Sequence, residues 1–537
     1  MSAKPPTGED LTGRSRFARN VTFAWGGQVV RIIAGFVIPR MISDRLGVTN
    51  LGIWDFTWSI VNFFGLLQLG LSGSVNRYVA RYRATGEHEA LSRCVSTTGL
   101  FLNLSGVLIA VAAVITTVWF LPAFHAELGS DLKSARLIVL FLGADAALSA
   151  ALSLYLGVIV GCHRSDIHNT LNAISYGGTM LGMMAVLMAG GGLAWLAFVQ
   201  FFFSTLVNVL RIRIAYRVCP ELKVNYGLAS WPMFLEQVRF SAKNIIPFAA
   251  SLVSSQTSSI IIAGTLGPAS LAVFMRPRSL VSNIRVLAAK FGMLLIPTAS
   301  SLQARDDHGA LRSTLTESTV RLSFLVLPGV VTLAFLGDSI IRLWMGAEFV
   351  YPGLFAVVAL GSFASLIQES SWNILVGLNK HGRVSLVQLA GAMVTSALLW
   401  FGVVVLEWKL IGAALLLAIP QTIVDGLLTP LAACRYLKVS PREFYTRILV
   451  KPLYCVAPYA FFLLIARLNL KTHPPLAMGA IVVGLVVLAA TYFRFVLPDA
   501  ARQKIATKLR LPFLAPRAEA RPATIVAGTP ETAGKEN

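Results

Sequence analysis

Apolar runs of roughly twenty residues recur along this chain of 537 residues and constrain its fold more than any other feature. A run of that length matches a helix that crosses the hydrocarbon core of a bilayer, because a helix satisfies its backbone polar groups internally. Charged residues make up only 13% of the chain. The sequence therefore predicts an all-α polytopic membrane protein. Its fourteen predicted spans are 20–43, 51–75, 94–120, 136–161, 170–190, 193–214, 241–263, 271–297, 318–337, 352–377, 384–406, 410–434, 449–466 and 474–497.

The basic residues predict the orientation of these spans. With the N-terminus in the cytoplasm, 32 of the 46 Lys and Arg residues fall in cytoplasmic segments and seven fall in outer segments. Cytoplasmic loops of membrane proteins carry such an excess of basic residues. Both termini are therefore predicted to be cytoplasmic. The net charge of +21 follows from this bias, and no nucleic-acid partner is expected.

An internal repeat relates spans 1–6 to spans 7–12. Residues 45–51 (RLGVTNL) resemble residues 265–271 (TLGPASL), and residues 87–91 (EHEAL) resemble residues 307–311 (DHGAL), both at an offset of 220. The Val-Gly pair at 160–161 recurs at 376–377. Because each half has an even number of spans, the halves are predicted to lie parallel in the membrane. Transporters built from parallel repeats bind their substrate between the repeats.

The repeat predicts the domain organisation. Spans 13 and 14 have no repeat partner, and the chain after residue 512 is rich in Pro, Ala and Thr. The expected units are a cytoplasmic N-terminal segment (1–19), a six-helix lobe (20–216), a cytoplasmic linker (217–240), a second six-helix lobe (241–434), an extra helix pair (435–497), and a basic, partly disordered cytoplasmic tail (498–537).

Span 8 holds four cations and no carboxylate: Arg276, Arg278, Arg285 and Lys290. A cation at membrane depth costs about 2.5–3.5 kcal/mol, so such residues normally face a cavity or a partner. Arg278 and Arg285 are seven residues apart and share a helical face, whereas Arg276 and Lys290 lie off that face unless Pro277 bends the helix. The span is predicted to line a cavity for an anionic substrate, with structural pairing to carbonyls or to Asp55 as the alternative.

Spans 1 and 2 offer charged residues from the other half. Arg31 lies near mid-depth in span 1, and Arg40 lies nearer its outer end, as does Asp55 in span 2. One interpretation is an Arg40–Asp55 ion pair that closes the outer side. The other is that Arg31 and Arg40 line a cavity shared with the cations of span 8, and the two are compatible.

Few carboxylates lie at membrane depth. Asp145 is in span 4, Glu369 in span 10 and Asp425 in span 12. Intramembrane acids can act in ion coupling or gating, as can Asp55, but a single acid is more often a structural hydrogen-bond partner. The sequence does not distinguish these roles.

Enzymatic motifs are missing. No GxxxxGK[ST] phosphate loop occurs, no convincing nucleophile–base arrangement is found, and no cysteine pair has the spacing of a zinc site. The five cysteines, Cys94, Cys162, Cys219, Cys434 and Cys455, lie near predicted cytoplasmic helix ends, which favours reduced thiols over disulfides. We therefore predict a transporter with no cofactor and no metal.

Residues 46–54 (LGVTNLGIW) and 67–82 (LQLGLSGSVNRYVARY) resemble the start of bacterial polysaccharide transporters. These are the Wzx-type O-antigen flippases and their relatives in the multidrug/oligosaccharidyl-lipid/polysaccharide exporter (MOP) superfamily. The arrangement of twelve plus two spans extends the resemblance over most of the chain.

The resemblance implies two six-helix lobes in a V, as in MATE transporters, within the bacterial inner membrane. It implies alternating access and a polyprenyl-diphosphate-linked oligosaccharide that moves from the cytoplasmic to the periplasmic leaflet for O-antigen, lipopolysaccharide or exopolysaccharide synthesis. Membrane lipids, a polysaccharide polymerase and glycosyltransferases are the partners it suggests. The alternatives within the superfamily are a lipid II flippase, which also has fourteen spans and cavity arginines, and a multidrug or cation antiporter.

Overall fold

The computed structural model describes residues 14–68, 70–496 and 502, and no strand occurs among them. The helices are α1 (Arg14–Leu46), α2 (Val48–Phe63), α3 (Leu71–Thr85), α4 (His88–Ile115), α5 (His125–Leu128), α6 (Leu132–Gly161), α7 (Ser165–Met188), α8 (Leu193–Val218), α9 (Trp231–Leu252), α10 (Ser258–Leu266), α11 (Pro268–Met293), α12 (Leu295–Ala304), α13 (His308–Trp344), α14 (Leu354–Gly377), α15 (Gly382–Val404), α16 (Leu410–Gln421), α17 (Thr429–Leu437), α18 (Pro441–Asn469) and α19 (Pro474–Phe495).

The predicted all-α membrane architecture is confirmed. Within the described residues, thirteen helical stretches are long and apolar enough to cross a membrane, and they correspond one by one to predicted spans 2–14. Predicted span 1 lies within α1, which has 33 residues. The five cysteines are free and buried. The predicted N-terminal segment is described only from residue 14, and of the predicted tail only residue 502 is described.

Several long spans are interrupted. Three π-helical segments, at Thr116–Phe120, Val253–Thr257 and Thr422–Leu428, widen the helices that contain them. A π-helical turn inserts an extra residue and shifts the backbone hydrogen bonds, and such turns occur frequently at functional sites. Two of the three segments belong to spans 7 and 12, so the second half of the repeat is where the helices depart most from ideal geometry.

The two halves share unusual backbone geometry at corresponding positions. Gly47 precedes α2 with φ 91° and ψ 166°, and Gly267 precedes α11 with φ 85° and ψ 162°. This combination is essentially restricted to glycine, because a Cβ would clash with the backbone. His163 and Asn379 both take positive φ, at 58° and 55°, in the turns that follow α6 and α14. The internal repeat seen in the sequence thus extends to the backbone.

The described residues between Arg14 and Pro452 form one compact unit that contains both predicted six-helix lobes. The division between the lobes at residues 217–240 stays a prediction. In that segment, the first turns of α9 pack on the first half: the Phe234 ring stacks on Phe101 at 3.6 Å, and Gln237 accepts a hydrogen bond from Thr98 at 2.9 Å. The linker helix is therefore anchored to the first lobe before it enters the second.

A second compact unit begins at Leu453 and holds the end of α18 together with α19. Thr491 donates a hydrogen bond to the Cys455 carbonyl at 3.2 Å, and Gly484 lets the two helices approach closely beside Phe462. This unit contains most of the predicted extra helix pair.

Helices α2 and α11, one from each half, approach closely at Gly52. A Cβ on Gly52 would lie 1.8 Å from the Pro268 carbonyl oxygen, so only glycine fits there. Because the obstacle is backbone, the helices must separate to accept a side chain, and overpacking of this kind costs about 1–3 kcal/mol or more. We expect Gly52→Val to lower the melting temperature of the detergent-solubilised protein by several degrees. Gly73→Val is the control, since no atom lies within 4 Å of its added Cβ, and an equal loss there would contradict the prediction.

Candidate substrate cavity

A cavity of about 490 Å³ lies among α9, α11, α14, α15 and α16, together with the π-helical segments that follow α9 and α16. All of these elements belong to the second half of the repeat. Among the side chains that the structure describes, four charged residues line it, Arg278, Arg285, Glu369 and Asp425, all of them candidates from the sequence. Its size is within the range of ligand-binding pockets, which is about 300–1,000 Å³.

Arg278 is held by oxygen atoms rather than by a carboxylate. Its Nη1 donates to the Ser258 hydroxyl at 2.9 Å and to the Ser255 carbonyl at 3.3 Å, and its guanidinium lies 5.7 Å from the centre of the Phe274 ring. Ser255 belongs to the π-helical segment Val253–Thr257 of span 7, where the shifted backbone hydrogen bonds leave its carbonyl accessible. The guanidinium is therefore oriented by neutral groups and retains its positive charge toward the cavity.

Arg285 lies two helical turns after Arg278 on the same face of α11, as the spacing predicted. Within the described part of the chain, no hydrogen bond or ion pair to a carboxylate involves Arg285. Glu369 and Asp425 are nevertheless near enough to interact with it electrostatically. Both arginines thus reach the cavity with donors to spare.

The two carboxylates make the cavity mixed in charge. Asp425 accepts hydrogen bonds from Ser365 at 2.6 Å and from Gln421 at 3.4 Å, and Glu369 accepts one from Asn373 at 3.2 Å. The sequence led us to expect a cationic cavity. The described part of the lining holds two arginines on α11 and two carboxyl groups on the facing helices.

Arg276 has a different role from its neighbours on α11. It is 3% exposed, donates to the Ala272 carbonyl, and forms an ion pair with Asp55 of α2. The interpretation in which Arg40 pairs with Asp55 is therefore wrong, and the alternative for span 8, pairing with Asp55 and with a carbonyl, describes Arg276. Arg40 instead pairs with Asp44, one turn away on the exposed side of α1, at 2.8 Å. A partner four residues away is always within reach on a helix, whereas Asp55 lies where α2 packs against α11.

The remaining predicted cations, Arg31, Arg40 and Lys290, do not line the cavity. Arg31 is exposed on α1, and neither it nor Arg40 is among the residues that line the 490 Å³ space. Lys290, in the last turn of α11, is half-buried and also absent from the lining. The expected convergence of cations from spans 1 and 8 is not seen in this cavity, because Arg31 and Arg40 belong to a helix that packs mainly beside α7.

Asp145 belongs to a hydrogen-bond network inside the first half. Its two carboxylate oxygens accept from Ser149 at 3.3 Å and from Gln200 at 3.2 Å, and Asn208 donates to Ser149 at 3.0 Å. Arg211 then donates to Asn208 at 2.6 Å. The network ties α6 to α8, and a part for Asp145 in ion coupling stays a prediction.

Several contacts between the two halves lie at the predicted outer ends of the helices. Besides the Asp55–Arg276 pair, the Trp344 indole donates to the Phe36 carbonyl at 2.8 Å, and the two rings lie 4.7 Å apart. Ser43 also donates to Glu348 at 3.5 Å. These contacts join α1 and α2 to α11, to the end of α13 and to the short turn Ala347–Phe349 that follows it.

Sequence reasoning missed most of the neutral polar lining. Trp372, Gln388 and Gln421 all line the cavity, and so do serines of the π-helical segment Val253–Thr257 in span 7. The spacing of Gln368, Glu369 and Trp372 on one side of span 10 was a usable signal. The π-helical segments had no such signal, since nothing in their composition distinguishes them from ordinary helix.

Comparison with known proteins supports the assignment. Residues 167–351 match the family described as "Polysaccharide biosynthesis protein". A Shigella flexneri protein that is named as a candidate O-antigen transporter is 20% identical over 404 residues, which are 73% of this chain and 94% of that protein.

Solved structures show the same fold. The lipid II flippase MurJ in an inward closed conformation aligns with a TM-score of 0.65 at 15% identity, over 88% of this chain and 98% of that chain. A multidrug resistance MATE transporter of the MOP superfamily in an inward-facing conformation aligns with a TM-score of 0.63 at 13% identity, over 78% of this chain and 98% of that chain. The chain has the multi-helix fold that these two membrane proteins share.

The expected resemblance to polysaccharide exporters is confirmed, and the relatives found are transporters by name. At 13–15% identity, the structural neighbours establish the fold and leave the cargo open. The cavity lining therefore has to supply the argument about what this protein carries.

Proposed function

We propose that the transporter moves a polyprenyl-diphosphate-linked oligosaccharide from the cytoplasmic to the periplasmic leaflet of the bacterial inner membrane, for synthesis of a cell-surface polysaccharide. The observation that carries this proposal is the pair of arginines, Arg278 and Arg285, on one wall of a cavity of about 490 Å³. Guanidinium groups bind phosphate oxygens through paired donors and keep their charge when partly desolvated. The sugar and diphosphate of such a lipid cannot cross the hydrocarbon core unaided.

The contacts at the predicted outer end support transport by alternating access. They join the halves there through one buried ion pair and one indole hydrogen bond. In the proposed cycle, the cavity loads from the cytoplasmic side while these contacts hold. They then separate, and the cargo leaves toward the periplasm. A buried ion pair suits such a gate, because hydration of both charges offsets its loss on opening.

A multidrug or cation antiporter of the same superfamily is the second candidate function. It is favoured by Glu369 and Asp425, since carboxylates in the cavity suit a cationic substrate or a coupling ion. A lipid II flippase is the alternative that keeps a diphosphate cargo.

The decisive experiment is leaflet-resolved accumulation of the lipid-linked sugar in a deletion strain of the host. We expect the glycolipid to accumulate on the cytoplasmic side and surface polysaccharide to disappear, with both restored by the wild-type gene. Normal polysaccharide in the deletion strain, together with sensitivity to cationic drugs, would favour the antiporter. Rescue of a strain depleted of its own lipid II flippase would favour that cargo instead.

A further inference from the structure

The two halves use the same helix contact in different ways. In the first half, Asn208 donates to the Ser149 hydroxyl at 3.0 Å. In the second half, Ser365 donates to Asp425 at 2.6 Å, and these residues lie 216 and 217 positions after their counterparts. In the first half, Ser149 links α6 to α8. In the second half, Ser365 links α14 to span 12 at the corresponding position.

Polar side chains around the Asn208–Ser149 contact of the first half form hydrogen bonds with one another. Arg211 donates to Asn208 at 2.6 Å and to Asn172 at 2.7 Å, and Gln200 donates to Asp145. In the second half, the corresponding region opens onto the cavity, where Gln388 and Asp425 form part of the lining. The equivalent regions of the two halves therefore differ, since the first half places a hydrogen-bond network where the second half has part of the cavity lining.

Gln368 carries an unsatisfied acceptor at this cavity. Its side chain is 7% exposed, and within the described structure its Oε1 has no hydrogen-bond partner. Buried polar atoms are nearly always bonded, so this oxygen beside a cavity is free to accept a hydrogen bond from a donor within the cavity. Hydroxyl and amide groups are donors of this kind, whereas a phosphate oxygen is an acceptor and cannot satisfy Gln368 Oε1.

Trp372 follows Gln368 by one helical turn and lines the same wall of the cavity. Its ring system and that of His381 are arranged edge to face, with the ring centroids 5.8 Å apart and the planes at 74°. An indole face presents a large apolar surface, which matches the C–H face of a pyranose ring, while the amide and carboxylate oxygens beside it match hydroxyl donors at the ring edge.

We propose that the wall formed by Gln368, Glu369, Trp372 and Asp425 binds the saccharide of the cargo and selects a sugar without a carboxylate. The proposal rests on the proposed function, in which Arg278 and Arg285 hold the diphosphate of the same molecule. A uronic acid at this wall would bring a third carboxylate beside Glu369 and Asp425, and like charges placed together are a general means of rejecting a wrong ligand. Sodium or another small cation suits the site less well, because two arginines share the cavity.

The test uses purified full-length transporter in liposomes and three fluorescent probes. These are a polyprenyl diphosphate without sugar, the same lipid bearing N-acetylglucosamine, and the same lipid bearing glucuronic acid. We expect wild-type protein to move the N-acetylglucosamine probe at least tenfold faster than the glucuronic acid probe. Gln368→Leu and Trp372→Ala should each lower the ratio of the N-acetylglucosamine rate to the sugar-free rate at least tenfold. The exposed Gln303 provides the control, and Gln303→Leu should leave that ratio unchanged.

The carboxylates are tested with the double variant Glu369→Gln and Asp425→Asn, which should reduce the preference for N-acetylglucosamine over glucuronic acid below threefold. Equal slowing of all three probes by the wall variants would overturn the saccharide site, because the residues would then act on the transport cycle itself. Sodium dependence that disappears in Glu369→Gln would overturn it in favour of a cation site. If wild-type protein moves none of the probes, the proposed function fails and this proposal fails with it.

Discussion

Arg278→Ala and Arg285→Ala should each reduce export of surface polysaccharide roughly tenfold to a hundredfold, with the protein still present in the membrane. A charge-assisted hydrogen bond contributes about 1.5–3 kcal/mol, and each 1.4 kcal/mol corresponds to a factor of ten in affinity. Truncation of Arg278 removes its hydrogen bonds to Ser255 and Ser258 and its contact with the Phe274 ring and breaks no ion pair with a carboxylate, so the expected cost to folding is small. Quantified surface polysaccharide and immunoblots of the membrane fraction measure the two effects separately.

The matched control for these variants is Arg93→Ala. Arg93 pairs with Glu89 on the surface of α4 and is half-exposed, so its loss should leave export within twofold of wild type. Arg285→Lys should lie between wild type and alanine, because lysine keeps the charge but not the planar pair of donors. Normal export in the Arg278→Ala, Arg285→Ala double variant would show that these arginines do not hold the cargo.

Breaking the Asp55–Arg276 pair should produce the largest loss of stability. The side chains are 13% and 4% exposed, and removing one partner of a buried pair leaves an uncompensated charge at a cost of about 3–5 kcal/mol. We therefore expect Asp55→Leu and Arg276→Leu each to lower the melting temperature in detergent by several degrees. The double variant with leucine at both positions should recover much of the loss, since no buried charge remains.

The surface pair Arg40–Asp44 is the control for that experiment. Its residues are of the same types but 39% and 47% exposed, so Arg40→Leu should cost less than about 1 kcal/mol. If Asp55 and Arg276 also form the outer gate, their variants should increase labelling of cysteines introduced at the Phe36–Trp344 contact by a membrane-impermeant reagent. Destabilisation without any change in labelling would leave the pair a structural role only.

Much of the fold could be predicted from the sequence, because hydropathy and helical periodicity are local properties. The spans followed from runs of apolar residues, and the repeat followed from short matching segments whose backbone geometry also matches, as at Gly47 and Gly267. The shared face of Arg278 and Arg285 followed from their spacing of seven residues, which any continuous helix converts into the same orientation.

Tertiary structure decided which charges meet. Asp55 and Arg276 are 221 residues apart, and no local pattern distinguishes that partner from Arg40. In a membrane protein most helix faces are apolar, so periodicity does not reveal which face packs on which neighbour. The confinement of the cavity to the second half, and the acids and unsatisfied Gln368 oxygen within it, depend on packing among spans 7, 8, 10, 11 and 12. The sequence thus determined where the helices are and which of them carry charge, and only their packing determined which charges are paired and which face a cavity.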